Sequence, residues 1–176
     1  MTSAPFSVPP ALAAPAARAA AVVSARTGAV LPPVEVRIVS RTALATAVLR
    51  SESAVAGRGS RWRHAAVWLR TWSDARTAAA RTVVAPDGVL VLVLRWAATD
   101  PRLEDYLVHE LVHCVQLSRP ERRAQLTAVV RHHLGTSRLT DEELYREHLR
   151  LQADEGQAYR VQLAHAESVH PAEVAA

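Results

Sequence analysis

The run Gly88–Leu94, GVLVLVL, limits what this chain can fold into more than any other stretch. It is continuously apolar from Val89 to Leu94 and follows Pro86-Asp87-Gly88, a turn signal that separates it from the β-rich ARTVVA. A strand of that kind has no face it can show to water, so it requires cover on both sides. The rest of the chain must therefore supply two layers. VEVRIV, residues 34 to 39, alternates apolar with charged positions and predicts another strand. HAAVWLRTW, 64 to 72, is expected as a further strand with Trp68 and Trp72 on one face, packed in the core. Ala16 to about Thr27 predicts a helix stopped at Gly28, and RTALATAVLRSESAVAG a second stopped at Gly57.

Beyond Leu94 every signal is helical. Asp100 with Pro101 opens a helix, with Glu104 and Asp105 in its first turn, that runs to about Leu117. A second spans Pro120 to Leu134 and closes at Gly135. Thr140-Asp-Glu-Glu143 is a capping box opening a long helix to about Glu167. The fold class expected is α+β: a small, mostly antiparallel sheet followed by a helical half.

At 176 residues the chain reads as one domain over 16–176, preceded by a poorly ordered Ala/Pro-rich lead-in over 1–15. That lead-in lacks a basic n-region and is interrupted by Pro5, Pro9, Pro10 and Pro15, so a signal peptide is not expected. One cysteine excludes an internal disulfide framework, and the expected location is cytoplasmic. The formal charge is +4 with all 21 basic residues arginine, spread along the chain with no basic block. Neither a nucleic-acid nor a membrane partner is expected, and oligomeric state is not legible.

LEDYLVHELVHCVQL, residues 103 to 117, places two imidazoles and a carboxylate in an apolar helix. His109 and His113 are four apart, about 40° from one another around the axis and one turn apart along it. Two imidazoles can thus reach one metal from one rigid element. Glu110, about 100° around, can reach a metal-bound water without being a ligand. A catalytic zinc takes three protein ligands and one open position. LQADEGQAYRVQ, 151 to 162, offers Asp154 and Glu155 as candidates for the third. Gly156 beside them suits a close helix-to-helix approach.

HELVHCVQ followed some forty residues later by DEGQAYR resembles the gluzincin metallopeptidases, over about residues 89 to 165. That resemblance implies a zincin-like fold with a metal-site helix, a connecting helix and a long carboxylate-bearing helix. It also implies Zn2+ held by His109, His113 and Glu155, with Glu110 as catalytic base. The expected function is a zinc-dependent hydrolase, a metallopeptidase cleaving an amide bond in a peptide or small amide-containing substrate. Two alternatives stand beside it: a metalloenzyme tailoring a non-peptide substrate, or a non-catalytic zinc-containing binding module.

The chain departs from the family in carrying Tyr159 where many members have an acid. Tyr159 orients a ligand, faces substrate, or packs. A second oxyanion donor is expected from Tyr159, His148, His132, His133 or a helix arginine, with His148 foremost because it lies seven before Glu155 on nearly the same helix face. His165 and His170 read as solvated, and Cys114 as a small core residue. Gln116 falls where the family often carries Gln, with no role assigned.

Overall fold

The structure, a computed structural model, describes residues 6–57 and 59–169. Its elements are β1 (Phe6–Ser7), α1 (Ala13–Thr27), β2 (Val34–Val39), α2 (Arg41–Ala56), α3 (Arg61–Asp74), β3 (Ala80–Ala85), β4 (Gly88–Leu94), α4 (Leu103–Leu117), α5 (Pro120–Leu134) and α6 (Asp141–Val169). The architecture is α+β and mostly helical. Residues 1–5 and 170–176 of the expected domain plan lie outside the described residues. From Phe6 the expected lead-in gives way to regular structure, and Leu12 is fully buried.

The sheet order is β1-β2-β4-β3. β2 pairs with β4 in parallel, Val36 opposite Val91, and β1 pairs with β2 in parallel. Among the described residues only the β3–β4 hairpin, turning through Pro86-Asp87, is antiparallel. The sheet is thus mixed, and the mostly antiparallel arrangement expected from sequence is corrected. The cause is the stretch 64–72, which is part of helix α3 rather than a strand. Its Trp68 and Trp72 do share a face, with rings stacked at 6.2 Å. A spacing of four puts two residues on one face of a strand and of a helix alike, so that pair could not tell them apart. With α2 and α3 interposed, the chain has the length a parallel crossover from β2 toward β4 needs.

β4 is covered on both faces, as its composition requires. Val89, Val91 and Val93 pack with Leu107, Val108, Leu111 and Val112 of α4 and with α1. Leu90, Leu92 and Leu94 pack with Leu44 and Val48 of α2. α3 forms an outer layer on α2 and α5. Its entry is tight: a Cβ on Gly59 would lie 1.9 Å from the Leu134 carbonyl oxygen, which accepts from the Ser60 amide at 3.2 Å. Only glycine allows that approach.

In the helical half the sequence punctuation is matched closely. α5 spans Pro120–Leu134 and stops at a left-handed Gly135. α6 opens with a reciprocal capping box: the Glu143 carboxylate accepts from the Thr140 amide at 2.7 Å, and the Thr140 hydroxyl accepts from the Glu143 amide at 3.2 Å. α4 begins at Leu103, and Asp100 acts just before it, accepting from the Arg102 amide at 2.8 Å.

Candidate metal centre

α4 and α6 lie antiparallel, joined by a seam of polar contacts about one turn apart. At one end Gln116 donates to the Asp154 carbonyl and to Gln157 Oε1, both at 3.0 Å. In the middle His109 and His113 face Glu155. Further along, His109 Nδ1 meets Gln162 Oε1 at 3.0 Å, and His165 lies 3.3 Å from Glu104. The buried leucines and valines of α4 fix the rotation that presents the two histidines to this seam.

The three candidate ligands converge. His109 Nε2 and His113 Nε2 are 3.1 Å apart, and one Glu155 oxygen faces each of them, at 3.4 and 3.3 Å. Asp154, the other carboxylate considered, is held by Arg122 at 2.5 Å. Arg122 also pairs with the buried Glu147, so this pair of bonds ties α5 to α6 directly beside the ligand position.

The hydrogen-bond network orients the His113 ring. Both hydrogens of the Gln116 amide nitrogen are spent on Asp154 and Gln157, leaving Gln116 Oε1 as an acceptor. His113 Nδ1, 2.7 Å away, must therefore donate, which leaves Nε2 facing the cluster. His109 Nδ1 likewise faces an amide oxygen, that of Gln162. Such partners behind a ligating histidine orient the ring and raise its basicity.

The charges around the cluster favour a cation. Burial disfavours charge on His113, but the Glu155 carboxylate, the Glu110 charge and the Gln116 carbonyl outweigh it and raise its pKa to about 8. Hydrogen bonds from His109 and His113 hold the Glu155 carboxyl well below the usual carboxylate range, against the effect of its partial burial. Two ring nitrogens and a carboxylate this close call for positive charge among them, supplied by protons on the rings or by a metal ion bound to the neutral rings. Donors about 2.0–2.2 Å from a tetrahedral zinc lie roughly 3.3–3.5 Å from one another. The two histidine–Glu155 separations, 3.4 and 3.3 Å, fit that spacing and the His109–His113 separation of 3.1 Å falls just short of it, so the three side chains could hold a metal ion.

Glu110 is buried, and its Oε2 accepts from the Thr82 hydroxyl of β3 at 2.6 Å. It lines, with His109, His113, Glu155 and Tyr159, a cavity of about 610 Å³ that β3 also lines. Tyr159 packs edge-on against His109, ring centroids 4.9 Å apart, while most of its surface stays exposed to the cavity and solvent.

Several sequence expectations change here. His148 is exposed and does not line the cavity. Seven residues along a helix is about 10.5 Å, so a shared face does not give it a shared site with Glu155. His132 Nδ1 accepts from the Leu139 amide at 3.0 Å and ties down a loop, and neither it nor His133 lines the cavity. His165 is buried against Glu104 and Asp105 rather than solvated, while His170 lies outside the described residues. Cys114 is a fully buried core residue whose thiol burial pushes up.

Gly156 does not face α4: a Cβ there would meet only the end of Arg160, at 3.5 Å. The small residue at the helix contact is Ala158, fully buried. It lies about 60° from Glu155 on the other side from Gly156. Thr82, Arg122 and Gln162 escaped the sequence reading. Gln162, seven after Glu155, carries a signal in its helical phase; Thr82 and Arg122 depend on tertiary placement.

Compared with known proteins, the chain matches no family model, no curated protein and no solved structure.

Proposed function

We propose that this chain is a zinc-dependent, zincin-like hydrolase that cleaves an amide bond in a peptide. The observation that carries the reading is the close triangle of His109, His113 and Glu155, with buried Glu110 lining the same cavity. Zinc in such a position supplies a Lewis acid that lowers the pKa of a bound water toward neutrality and polarises the substrate carbonyl. Glu110 takes the proton from the attacking water and delivers it to the departing amine nitrogen. The Thr82 hydroxyl holds one Glu110 oxygen in place through this cycle. Gln116 and Gln162 hold the two imidazoles in the orientation that turns Nε2 inward.

A peptide suits the cavity because its wall is an edge strand. Among the described residues β3 pairs only with β4, and although the Val84 carbonyl accepts from Ser51 at 2.8 Å, the Ala80–Thr82 end of its outer edge can accept an added strand. The test is hydrolysis of a mixed peptide library by zinc-loaded protein, followed by mass spectrometry. Cleavage that stops on chelation and returns with zinc supports the reading. A zinc-loaded, folded protein that cleaves no peptide would reject peptidase chemistry.

A further inference from the structure

α3 is the most exposed helix of the fold, and its surface is organised. Taking Trp62 as reference, Leu69 lies about 20° away around the axis, Ala66 about 40° and Ala65 about 60°. Trp62 is 86% exposed and Leu69 58%. Arg70, beside Asp74 at 4.0 Å, borders this stripe on one side at about 80°, and Arg61 on the other at about 100°, while Arg63 at about 100° is turned to the His132 carbonyl of α5 at 2.8 Å. The opposite face carries Thr71, which is buried. Trp68 and Trp72 lie nearer the fold: Trp68 donates to the Thr46 hydroxyl at 3.2 Å, and the Arg41 guanidinium covers Trp72 at 3.6 Å. Trp62 stacks on no other ring among the described residues.

Charge is distributed to match. Arginines occur throughout the chain, but acids do not: residues 1–99 hold twelve arginines against four carboxylates, and residues 100–176 nine against thirteen. The positive potential near α3 is felt by His133 of α5. Its pKa is lowered by burial first and then by His132, Arg70 and Arg63.

We propose that α3 docks the protein on an anionic lipid surface, lying in the plane of the headgroups with Trp62 and Leu69 turned toward the acyl boundary. An apolar stripe flanked on both sides by arginines is the pattern that gains from hydrophobic insertion and headgroup attraction together. None of the described helices is long and apolar enough to cross a membrane, so the contact is peripheral. A nucleic-acid backbone would use the arginines but offer nothing to Leu69. A second copy of the chain would bring Arg61, Arg63 and Arg70 against themselves. No residue of α3 lines the cavity beside His109 and His113, so docking through α3 leaves that lining uncovered.

The test mixes the full chain with vesicles of phosphatidylcholine alone or with one-third phosphatidylglycerol at low salt, reading co-sedimentation and tryptophan fluorescence. Binding to the anionic vesicles only, with a blue shift and loss at high salt, is expected. Trp62→Ser with Leu69→Ser should weaken it at least about tenfold, and Arg61→Gln or Arg70→Gln roughly fivefold each. Trp62→Phe should keep binding while reducing the blue shift, which guards against a folding artefact in the double variant. Absent binding, equal binding to neutral vesicles, undiminished binding by the variants, tighter binding to duplex DNA, or a dimer that the double variant dissolves would each overturn the proposal.

Discussion

α4 with α6, and α2 with α3, are both helix pairs, and they handle their polar and apolar groups in opposite ways. Between α4 and α6, Gln116, His113, His109 and Glu155 each have at least one named partner, and the apolar residues around them are sealed. On α3 Trp62 and Leu69 face outward, and Thr71 is the helix's one buried residue. The first arrangement holds side chains to a fixed geometry, which is what a reaction needs. The second leaves a surface for something else to cover. Precision in this fold is bought by the seam and is not a property of its helices in general.

The sharpest way to break that contrast is at Glu110. Glu110→Gln keeps shape and the contact with Thr82 while removing the proposed base, so turnover should fall by about 10²- to 10⁴-fold with zinc content unchanged. Steady-state kinetics beside metal analysis reads both. Loss of zinc in step with activity would mean that Glu110 belongs to the metal set.

Next in size is Gln116→Ala, which removes the partner that orients His113 and two contacts to α6. Zinc affinity should drop by about 10- to 100-fold in competition with a chromogenic chelator. An unchanged affinity would show that the seam does not tune the site.

Ala158→Leu should destabilise by about 1–3 kcal/mol, since that position is closed against α4. Gly156→Ala, two residues away, should instead gain up to about 1 kcal/mol from helix propensity, because its Cβ meets only a flexible arginine tip. Thermal unfolding of both variants measures the difference, and the same sign for both would contradict the helix rotation described above.

The smallest effect is on pH in metal-free protein. His113 is raised from 6.5 to about 8, so its contribution to stability is complete below about 6.5 and is lost as pH rises through about 8. Chelator-treated protein should melt lower at pH 8.5 than at pH 6.5, and added zinc should reverse the order because metal binds the deprotonated rings. A metal-free melting temperature that rises across this range would contradict the arrangement around His113.

What was legible in the sequence follows the same divide. Helix ends are written locally, in Gly28, Gly57, Pro120, Gly135 and the Thr140 box, and β4 announces its double burial by composition. The i,i+4 histidines and the carboxylate helix likewise carry their spacing in the chain. Over 64–72 the sequence does not separate helix from strand, because Trp68 and Trp72 satisfy both periods. Strand pairing was misread because it depends on where the crossover helices pack. The Gly156–Ala158 exchange and the roles of Thr82 and Gln162 depend on how far α6 is turned against α4, which no local signal states.

The metal centre itself is tested most directly by the zinc content of purified, zinc-reconstituted protein alongside Glu155→Ala and Asp154→Ala. The account predicts about one zinc per chain, lost in Glu155→Ala and retained in Asp154→Ala, whose carboxylate is engaged by Arg122. A chain that binds no zinc, or one that keeps it in Glu155→Ala and loses it in Asp154→Ala, would contradict the assignment.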